Sequence, residues 1–251
     1  STFCRTYMGI DPSKAPVPVA PTAHYAMGGV PTDIDGMVIL NETGRTAEGL
    51  YAAGECACVS VHGANRLGCN SLLDTVVFGR RAGMHIASRM AEMPPGNIAP
   101  TETEPAVAAL THLLESKAPS AAPKIRTELQ SAMMLHCSVF RNERGLRELL
   151  EMIKGLKEQY RLTGISGRSM TFNTELLEAL ELGHLLALGE AITGSALERT
   201  ESRGSHFRED HPGRDDRNWL RHTLVTGKDG AMEFRFCPVS ITRFQPEERI
   251  Y

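Results

Sequence analysis

The distribution of hydrophobic and polar positions divides the chain into two parts with different periodicity. Up to about residue 95, short apolar runs such as residues 37–40 and 49–54 stand between glycines, a pattern typical of strands joined by tight turns. From about Asn70 the apolar positions recur every three or four residues, which predicts an amphipathic helix that stops before Pro94 and Pro95. The apolar positions of this helix are Leu72, Leu73, Val76, Val77, Gly83, Ile86, Ala87 and Met90.

The second part of the chain has a helical pattern. Residues 96–105 are rich in Pro, Thr and Glu without apolar periodicity, which predicts a linker and a domain boundary. Amphipathic segments follow at about 105–117, 123–138, 142–162 and 174–199. Asn173 is a suitable N-cap for the last of them, with Glu175 in its first turn. These segments predict a helical bundle with short connections.

The last fifty residues change character again. Residues 201–216 are charged and irregular, and two β-like runs follow at 219–225 and 232–236. The runs flank Thr226-Gly227-Lys228-Asp229-Gly230, which predicts a hairpin turn. We therefore expect the chain to close with a small β appendage.

Composition narrows the classes of function. With 251 residues, 41% hydrophobic and 23% charged, the chain can form one large domain or two to three small ones. The net charge of −3 gives no electrostatic reason to expect binding to nucleic acid or to an anionic membrane surface. No uncharged apolar run of about 18 residues is present that could span a bilayer. The six cysteines contain no CxxC pair, which favours reduced thiols in a cytosolic setting over disulfides or a zinc site.

The strongest local signal for chemistry is the glycine-punctuated polar block at residues 54–74. It runs from the end of a predicted strand to a helix start, where ligands bind in α/β sheets. The amides of Ser71 and Leu72 at that helix start would face an anionic or electron-rich group, although most helix ends serve only their own helix. Arg66 suits bidentate binding of a carboxylate, and a structural salt bridge is the alternative.

A second cluster lies at residues 21–30. The adjacent Gly28 and Gly29 permit close approach to a flat ligand or a positive-φ turn. His24 can donate a hydrogen bond to a carboxylate and Tyr25 can pack on a ring, while a purely structural pairing of the two remains open.

Four motifs carry a resemblance to a known family. The run His-Tyr-x-Met-Gly-Gly at residues 24–29 resembles succinate dehydrogenase and fumarate reductase flavoprotein subunits. So do Gly-Glu-Cys at 54–56 with His-Gly-Ala-Asn-Arg-Leu-Gly-x-Asn-Ser-Leu at 62–72, Glu-Ser-Arg-Gly-Ser-His at 201–206 and Arg-Asp-Asp-Arg-Asn-Trp-Leu at 214–220. The motifs extend from residue 24 to residue 220, so the resemblance covers nearly the whole chain. It is specific because the four motifs occur in the family's order.

The resemblance implies an α/β plus α fold. It consists of the remnant of an FAD-binding α/β domain and a capping domain, followed by a helical bundle and a small C-terminal β-hairpin region. The implied divisions are the end of the capping domain at 1–27, the C-terminal part of the FAD-binding domain at 28–95, a linker at 96–104, the bundle at 105–200 and the appendage at 201–251.

The resemblance also implies roles for individual residues. His24 and Arg66 would bind the carboxylates of a C4 dicarboxylate, fumarate or succinate. The FAD contacts would come from His24, Tyr25, Glu55, Ser71 and Leu72, with Glu55 near the adenosine ribose and the Ser71 and Leu72 amides at the flavin pyrimidine. In the family a hydride passes between flavin N5 and the dicarboxylate, and an arginine of the capping domain exchanges the proton. No catalytic residue of that kind and no metal ligand is expected in this stretch.

Departures from the family pattern shape the functional hypothesis. No GxG occurs, so the fingerprint that holds the FAD pyrophosphate is missing, as are the flavin-attaching histidine and the proton-transferring arginine. We therefore expect a fragment that is inactive alone. The family implies an iron-sulfur subunit as partner and, through it, a membrane anchor with quinone. That places the protein in the cytoplasm, peripheral on the inner face of the membrane.

Two alternatives compete with this hypothesis. L-aspartate oxidase resembles the family in its His-Gly-Ala-Asn-Arg and Glu-Ser-Arg-Gly runs, but residues 27–29 and 214–220 resemble succinate dehydrogenase or fumarate reductase instead. In the second alternative, the chain is a noncatalytic helical interaction module that retains the motifs as relics. The direction of the reaction does not follow from the sequence.

Overall fold

The computed structural model describes residues 2–19, 22, 24–92, 96, 99–228 and 230–247, which form a mixed α/β structure. The helices in these ranges are α1 Thr2–Met8, α2 Asn70–Arg89, α3 Pro100–Glu115, α4 Ala122–His136, α5 Glu143–Arg161, α6 Thr174–Glu198 and α7 Asp216–Trp219. The strands are β1 Val30–Pro31, β2 Met37–Ile39, β3 Thr46–Tyr51, β4 Ala57–Cys58, β5 Arg221–Lys228 and β6 Ala231–Pro238. No helix in the described part of the chain is long and apolar enough to span a bilayer.

The strands of the first part form two small pairs. β2 pairs antiparallel with β3, which ends at Tyr51 and not at Gly54 as predicted. β4 pairs parallel with β1 inside the block that the sequence predicted as a single loop. Gly29 permits this pairing, because at its φ of +126° a Cβ would lie 2.4 Å from the Cys56 carbonyl oxygen.

The main core lies among α4, α5 and α6, as the bundle prediction requires. The apolar face of α5 supplies fully buried Leu146, Leu149 and Ile153, which pack with Ile125 of α4 and Leu182 of α6. Each such side chain stabilises the fold by roughly 1.5–3 kcal/mol through burial.

The N-cap prediction for α6 is confirmed. Asn173 Oδ1 accepts a hydrogen bond from the Leu176 amide at 2.9 Å. Glu175, in the first turn, accepts from the Ser166 and Gly167 amides at 3.0 Å, and these bonds lower the pKa of its carboxyl.

Helix α3 begins earlier than the sequence predicted. It starts at Pro100, inside the predicted linker, with the Ala99 amide donating to Glu102 Oε2 at 2.9 Å. Proline is favoured at the first helical position, where its missing N–H costs nothing. Residues 101–109 of the helix are exposed, so they need no apolar stripe that the sequence could reveal. Residues 97–98 and 94–95, including the predicted proline stop, lie outside the described residues.

Helix α2 forms as predicted, but its apolar stripe is exposed to solvent within the described structure. Leu72 and Val76 are 74% and 68% exposed. The buried residues of α2 are Asp74 and Ala82. Ala82 allows the helix to approach the β2 turn so closely that a Cβ on Gly36 would lie 2.9 Å from the Ala82 Cβ.

The charged segment after α6 is an ordered ion cluster. Glu201, which is fully buried, accepts from Arg199 at 2.7 Å, from Arg203 at 2.8 and 3.0 Å and from the Asp215 amide at 2.8 Å. Arg203 also pairs with Asp216 at 2.6 Å. We call Arg199, Glu201, Arg203 and Asp216 the Glu201 cluster; it joins the bundle to the C-terminal strands.

The predicted hairpin is confirmed with a corrected start. β5 and β6 pair antiparallel, whereas Trp219, which the sequence assigned to the first strand, lies in the short helix α7. Its ring packs between the guanidinium groups of Arg199 at 5.0 Å and Arg221 at 4.8 Å, measured to the ring centroid, and against Phe236. Asp229 in the turn is outside the described residues.

His206 is held as a neutral ring beside the Glu201 cluster. Its Nδ1 lies 3.0 Å from Arg141 Nη1, which can only donate, so Nε2 carries the proton and donates to the Arg199 carbonyl at 3.1 Å. Burial, with the nearby arginine charges, lowers the pKa of His206 from 6.5 to about 4.

This histidine predicts an acid-sensitive fold. Between pH 6.5 and about 4 the unfolded chain binds a proton at His206 that the folded chain does not, so the free energy of unfolding falls as pH falls. The full loss is on the order of 3 kcal/mol. Urea unfolding followed by far-UV circular dichroism near neutral pH and in the lower part of this window measures it. His206→Gln should flatten the dependence and the control His184→Gln, at an exposed position, should not; an unaltered slope in His206→Gln would contradict the assignment.

Candidate functional site

The first two motifs meet where β1 and β4 lie side by side. The Glu55 carboxylate accepts the Ala26 amide at 3.0 Å, which ties the segment at 24–29 to the turn after β3. Gly28, at a φ of +101°, has no atom within 4 Å of the position that a Cβ would occupy. The Gly28 backbone is therefore open where a side chain would project.

Arg66 lies over the ring of Tyr25. The Arg66 Cζ is 5.1 Å from the ring centroid, which is a cation–π geometry. Its only hydrogen bond in the described structure is a long one, 3.4 Å, to the adjacent Leu67 carbonyl, and its buried Nε has no partner there. Arg66 forms no ion pair with a described carboxylate, in contrast to the structural salt bridge that the sequence left open.

Tyr25 is itself anchored by two residues that sequence reasoning did not single out. The Tyr25 hydroxyl lies 3.2 Å from His62 Nε2 and 3.4 Å from Asp74 Oδ2. The rings of Tyr25 and His62 meet edge to face. Asp74 is 6% exposed and His62 Nδ1 is buried without a described partner. Burial and then the Asp74 charge raise the pKa of Tyr25, so it remains a neutral phenol that can donate. An acid in an apolar helix stripe is the signal that marks Asp74.

The start of α2 has no side-chain cap. Cys69 precedes the helix in the left-handed region, at φ +67°, and provides no side-chain cap. Ser71 and Leu72 lie in the first turn, where amides lack intrahelical partners. The amides of this turn and the helix dipole therefore favour a negatively charged or electron-rich group.

His24 stands apart from these contacts. It is exposed, and the structure gives it no hydrogen bond among the described residues. The described structure therefore links Tyr25 to Arg66 directly and Glu55 to the same segment through Ala26. Ser71 and Leu72 lie at the adjacent helix start, whereas the role of His24 has no contact to support it.

Chemically, the arrangement suits a carboxylate ligand beside an electron-rich ring. A guanidinium without a carboxylate partner, supported by an aromatic face, is prepared to bind a carboxylate through two parallel hydrogen bonds. The open glycine backbone and the uncapped helix start offer space and donors for a flat polar group.

Comparison with known proteins gives consistent matches. A family model described as fumarate reductase flavoprotein C-term matches residues 126–251, and one described as FAD binding domain matches residues 1–72. The succinate dehydrogenase flavoprotein subunit of Coxiella burnetii is 42% identical over 250 residues, covering 97% of this chain and 42% of that protein. The fumarate reductase flavoprotein subunit of Mycobacterium tuberculosis is 42% identical over 257 residues, covering 99% of this chain and 43% of that protein.

A solved structure agrees with these matches. An E. coli quinol fumarate reductase superposes with a TM-score of 0.84 at 38% identity, covering 98% of this chain and 42% of that one. The chain thus spans 42% to 43% of the length of these relatives.

Proposed function

This chain belongs to the succinate dehydrogenase and fumarate reductase flavoprotein family, and we propose that it forms part of an FAD-dependent oxidoreductase that interconverts fumarate and succinate. The observation that carries the proposal is Arg66, which lies over Tyr25 without a carboxylate partner among the described residues. A C4 dicarboxylate supplies the missing partner.

Arg66 acts in this proposal as a substrate clamp. Its planar fork binds one substrate carboxylate bidentately and holds the dicarboxylate in one orientation. The face of the Tyr25 ring supports the guanidinium from one side. His24, whose side chain is exposed, donates a hydrogen bond to the second carboxylate. As charge shifts toward a carboxylate during the reaction, both donors stabilise it electrostatically.

The residues of this chain fit FAD as the cofactor. The Ser71 and Leu72 amides, at a helix start without a side-chain cap, suit the electron-rich pyrimidine edge of a flavin. Glu55 uses Oε1 for the Ala26 amide and keeps its other oxygen for a ribose hydroxyl. His24 and Tyr25 complete the contacts. When bound, FAD supplies the group that exchanges a hydride with the dicarboxylate.

Other roles fall to parts of the flavoprotein outside this chain. The relatives are more than twice as long, and the pyrophosphate contacts and the proton-exchanging arginine are assigned to the remainder of that length. An iron-sulfur subunit then carries electrons to a membrane anchor with quinone, so that the flavoprotein is peripheral on the cytoplasmic face. One solved relative bears the name quinol fumarate reductase, which supports this assignment.

The proposal is tested on a flavoprotein of the relatives' length that contains this sequence. We expect a flavin absorbance band, succinate-dependent reduction of an artificial electron acceptor, and fumarate-dependent oxidation of a reduced viologen dye. Oxidation of L-aspartate without succinate activity would identify an L-aspartate oxidase instead. A protein without flavin and without either activity would favour the noncatalytic module.

A further inference from the structure

A turn of the C-terminal region closes on the loop that carries Arg66. We call residues 203–206 the Gly204 turn and residues 60–68 the Arg66 loop. The Ser205 amide and Oγ both donate to the Ala64 carbonyl, at 3.1 and 3.0 Å, across 141 positions of sequence. The Glu-Ser-Arg-Gly-Ser-His motif thus contacts the loop directly, although its resemblance to the family assigned it no role.

Gly204 is required at this contact for two independent reasons. Its φ of +60° lies in the left-handed region, which residues other than glycine rarely adopt. A Cβ would lie 2.5 Å from the Ala64 carbonyl oxygen and 2.6 Å from its carbon, both backbone atoms. Because backbone cannot rotate away as a long side chain can, any larger residue must push the Arg66 loop or distort the turn.

The Gly204 turn is anchored at both of its ends, Arg203 and His206. Its ends bond to each other, since the Arg203 and His206 amides each donate to the other residue's carbonyl, at 2.8 and 3.0 Å. Arg203 is fixed by Glu201 and Asp216, and His206 by Arg141 and the Arg199 carbonyl. A turn anchored in this way can transmit the position of the helical bundle to whatever it contacts.

The Arg66 loop depends on such outside contacts. It has a positive φ at Ser60 and at Gly63, so its course is not that of a regular element. A second contact from the C-terminal region reaches it, between Ser60 Oγ and His222 Nε2 at 2.9 Å. Ala64, whose carbonyl accepts the two hydrogen bonds from Ser205, is only two residues from Arg66.

We propose that the Gly204 turn positions Arg66 for carboxylate binding, so that Gly204 and Ser205 are positioning residues for dicarboxylate affinity. The inference rests on the proposed function, because it takes Arg66 as the substrate clamp. Displacement of a substrate-orienting group by about 1 Å can cost about 100-fold in kcat/KM, so a small shift of the loop has a measurable effect on KM.

The test compares Gly204→Ala, Ser205→Ala and the control Gly213→Ala in the full-length flavoprotein. Gly213 has no atom within 4 Å of an added Cβ and no positive φ, so alanine is accommodated there. KM and kcat for fumarate and succinate, flavin content, and hydrogen exchange of the amides at 60–68 are measured for each protein.

We expect Gly204→Ala to raise KM about tenfold or more with near-normal flavin content and faster exchange at 60–68, and Gly213→Ala to match the parent protein. Ser205→Ala, which keeps the backbone bond, should raise KM roughly fivefold, as loss of one hydrogen bond implies. An unchanged KM in Gly204→Ala would overturn the proposal, whether or not the flavin content falls. If Gly204→Ala does not fold, an unchanged KM in Ser205→Ala overturns it instead.

The outcomes also separate this inference from the proposed function. A parent flavoprotein that turns over neither dicarboxylate refutes the proposed function by itself. In that case, protection of the amides at 60–68 that does not change in Gly204→Ala also refutes the contact on which the inference depends.

Discussion

Arg66→Ala raises KM for fumarate and succinate by about 100-fold or more while flavin content stays close to that of the parent protein: this is the largest effect we expect on function. Truncating one partner of a hydrogen-bonded charge pair costs about 2–5 kcal/mol, and each 1.4 kcal/mol is tenfold in affinity. Flavin content is spared because Arg66 is not among the proposed FAD contacts, and the hydrogen bonds that hold the Tyr25 hydroxyl to His62 and Asp74 do not involve it. Steady-state kinetics and flavin absorbance of the full-length protein measure both quantities.

Two further variants sharpen this test. Arg66→Lys keeps the charge but loses the planar fork, so its KM should lie between those of the parent and Arg66→Ala. Arg45→Ala removes an exposed arginine from the turn between β2 and β3 and should leave KM unchanged. Normal dicarboxylate kinetics in Arg66→Ala would refute the substrate clamp, and joint loss of flavin and activity would assign Arg66 to cofactor binding.

Glu201→Ala should produce the largest loss of stability. The variant leaves Arg199 and Arg203, whose side chains are 15% and 17% exposed, without the carboxylate that they share. Removing one partner from a buried ion pair costs about 3–5 kcal/mol. Arg199 then has no carboxylate partner among the described residues, whereas Arg203 keeps Asp216. Urea unfolding at neutral pH, followed by far-UV circular dichroism, measures the change in the free energy of unfolding.

A surface ion pair provides the control for this prediction. Glu158 pairs with Arg161 one helical turn away at 2.8 Å, but both side chains are more than 60% exposed. Glu158→Ala should therefore cost no more than about 1 kcal/mol. If Glu201→Ala costs no more than that control, the Glu201 cluster does not stabilise the junction between bundle and hairpin.

The helical bundle could be predicted from the sequence because its physics is local. The spacing of Leu146, Leu149 and Ile153 fits one face of an α-helix, and these residues are fully buried. The cap of α6 follows equally from Asn173, whose side chain competes for a nearby amide wherever a helix starts.

Features that depend on distant partners could not be predicted. β4 has two residues and exists because its backbone pairs with β1 across Gly29, a contact without a propensity signal. The charges of residues 201–216 predicted an irregular segment, since composition does not say that Glu201 will lie between two arginines. The apolar periodicity of residues 70–90 predicts the helix α2 correctly, but periodicity alone does not predict whether the apolar side chains are buried.

The candidate site divides in the same way. Arg66 and the start of α2 could be proposed from the sequence. An arginine among glycines suits bidentate binding of a carboxylate, and ligands bind where a helix follows a strand in α/β sheets. His62 and Asp74 were missed because their contact with Tyr25 arises only when the loop folds back on α2. The role of His24 at substrate and cofactor and the role of Glu55 at the cofactor remain predictions.

The position of Trp219 has a practical consequence for spectroscopy. It is the one tryptophan in the sequence, and it is 7% exposed between two guanidinium groups. Its intrinsic fluorescence therefore comes from a single, water-poor environment at the junction of α6 and the hairpin. Shifts of the tryptophan emission during denaturation or partner binding therefore report the integrity of that junction. The bundle core contains no tryptophan and does not contribute to this emission.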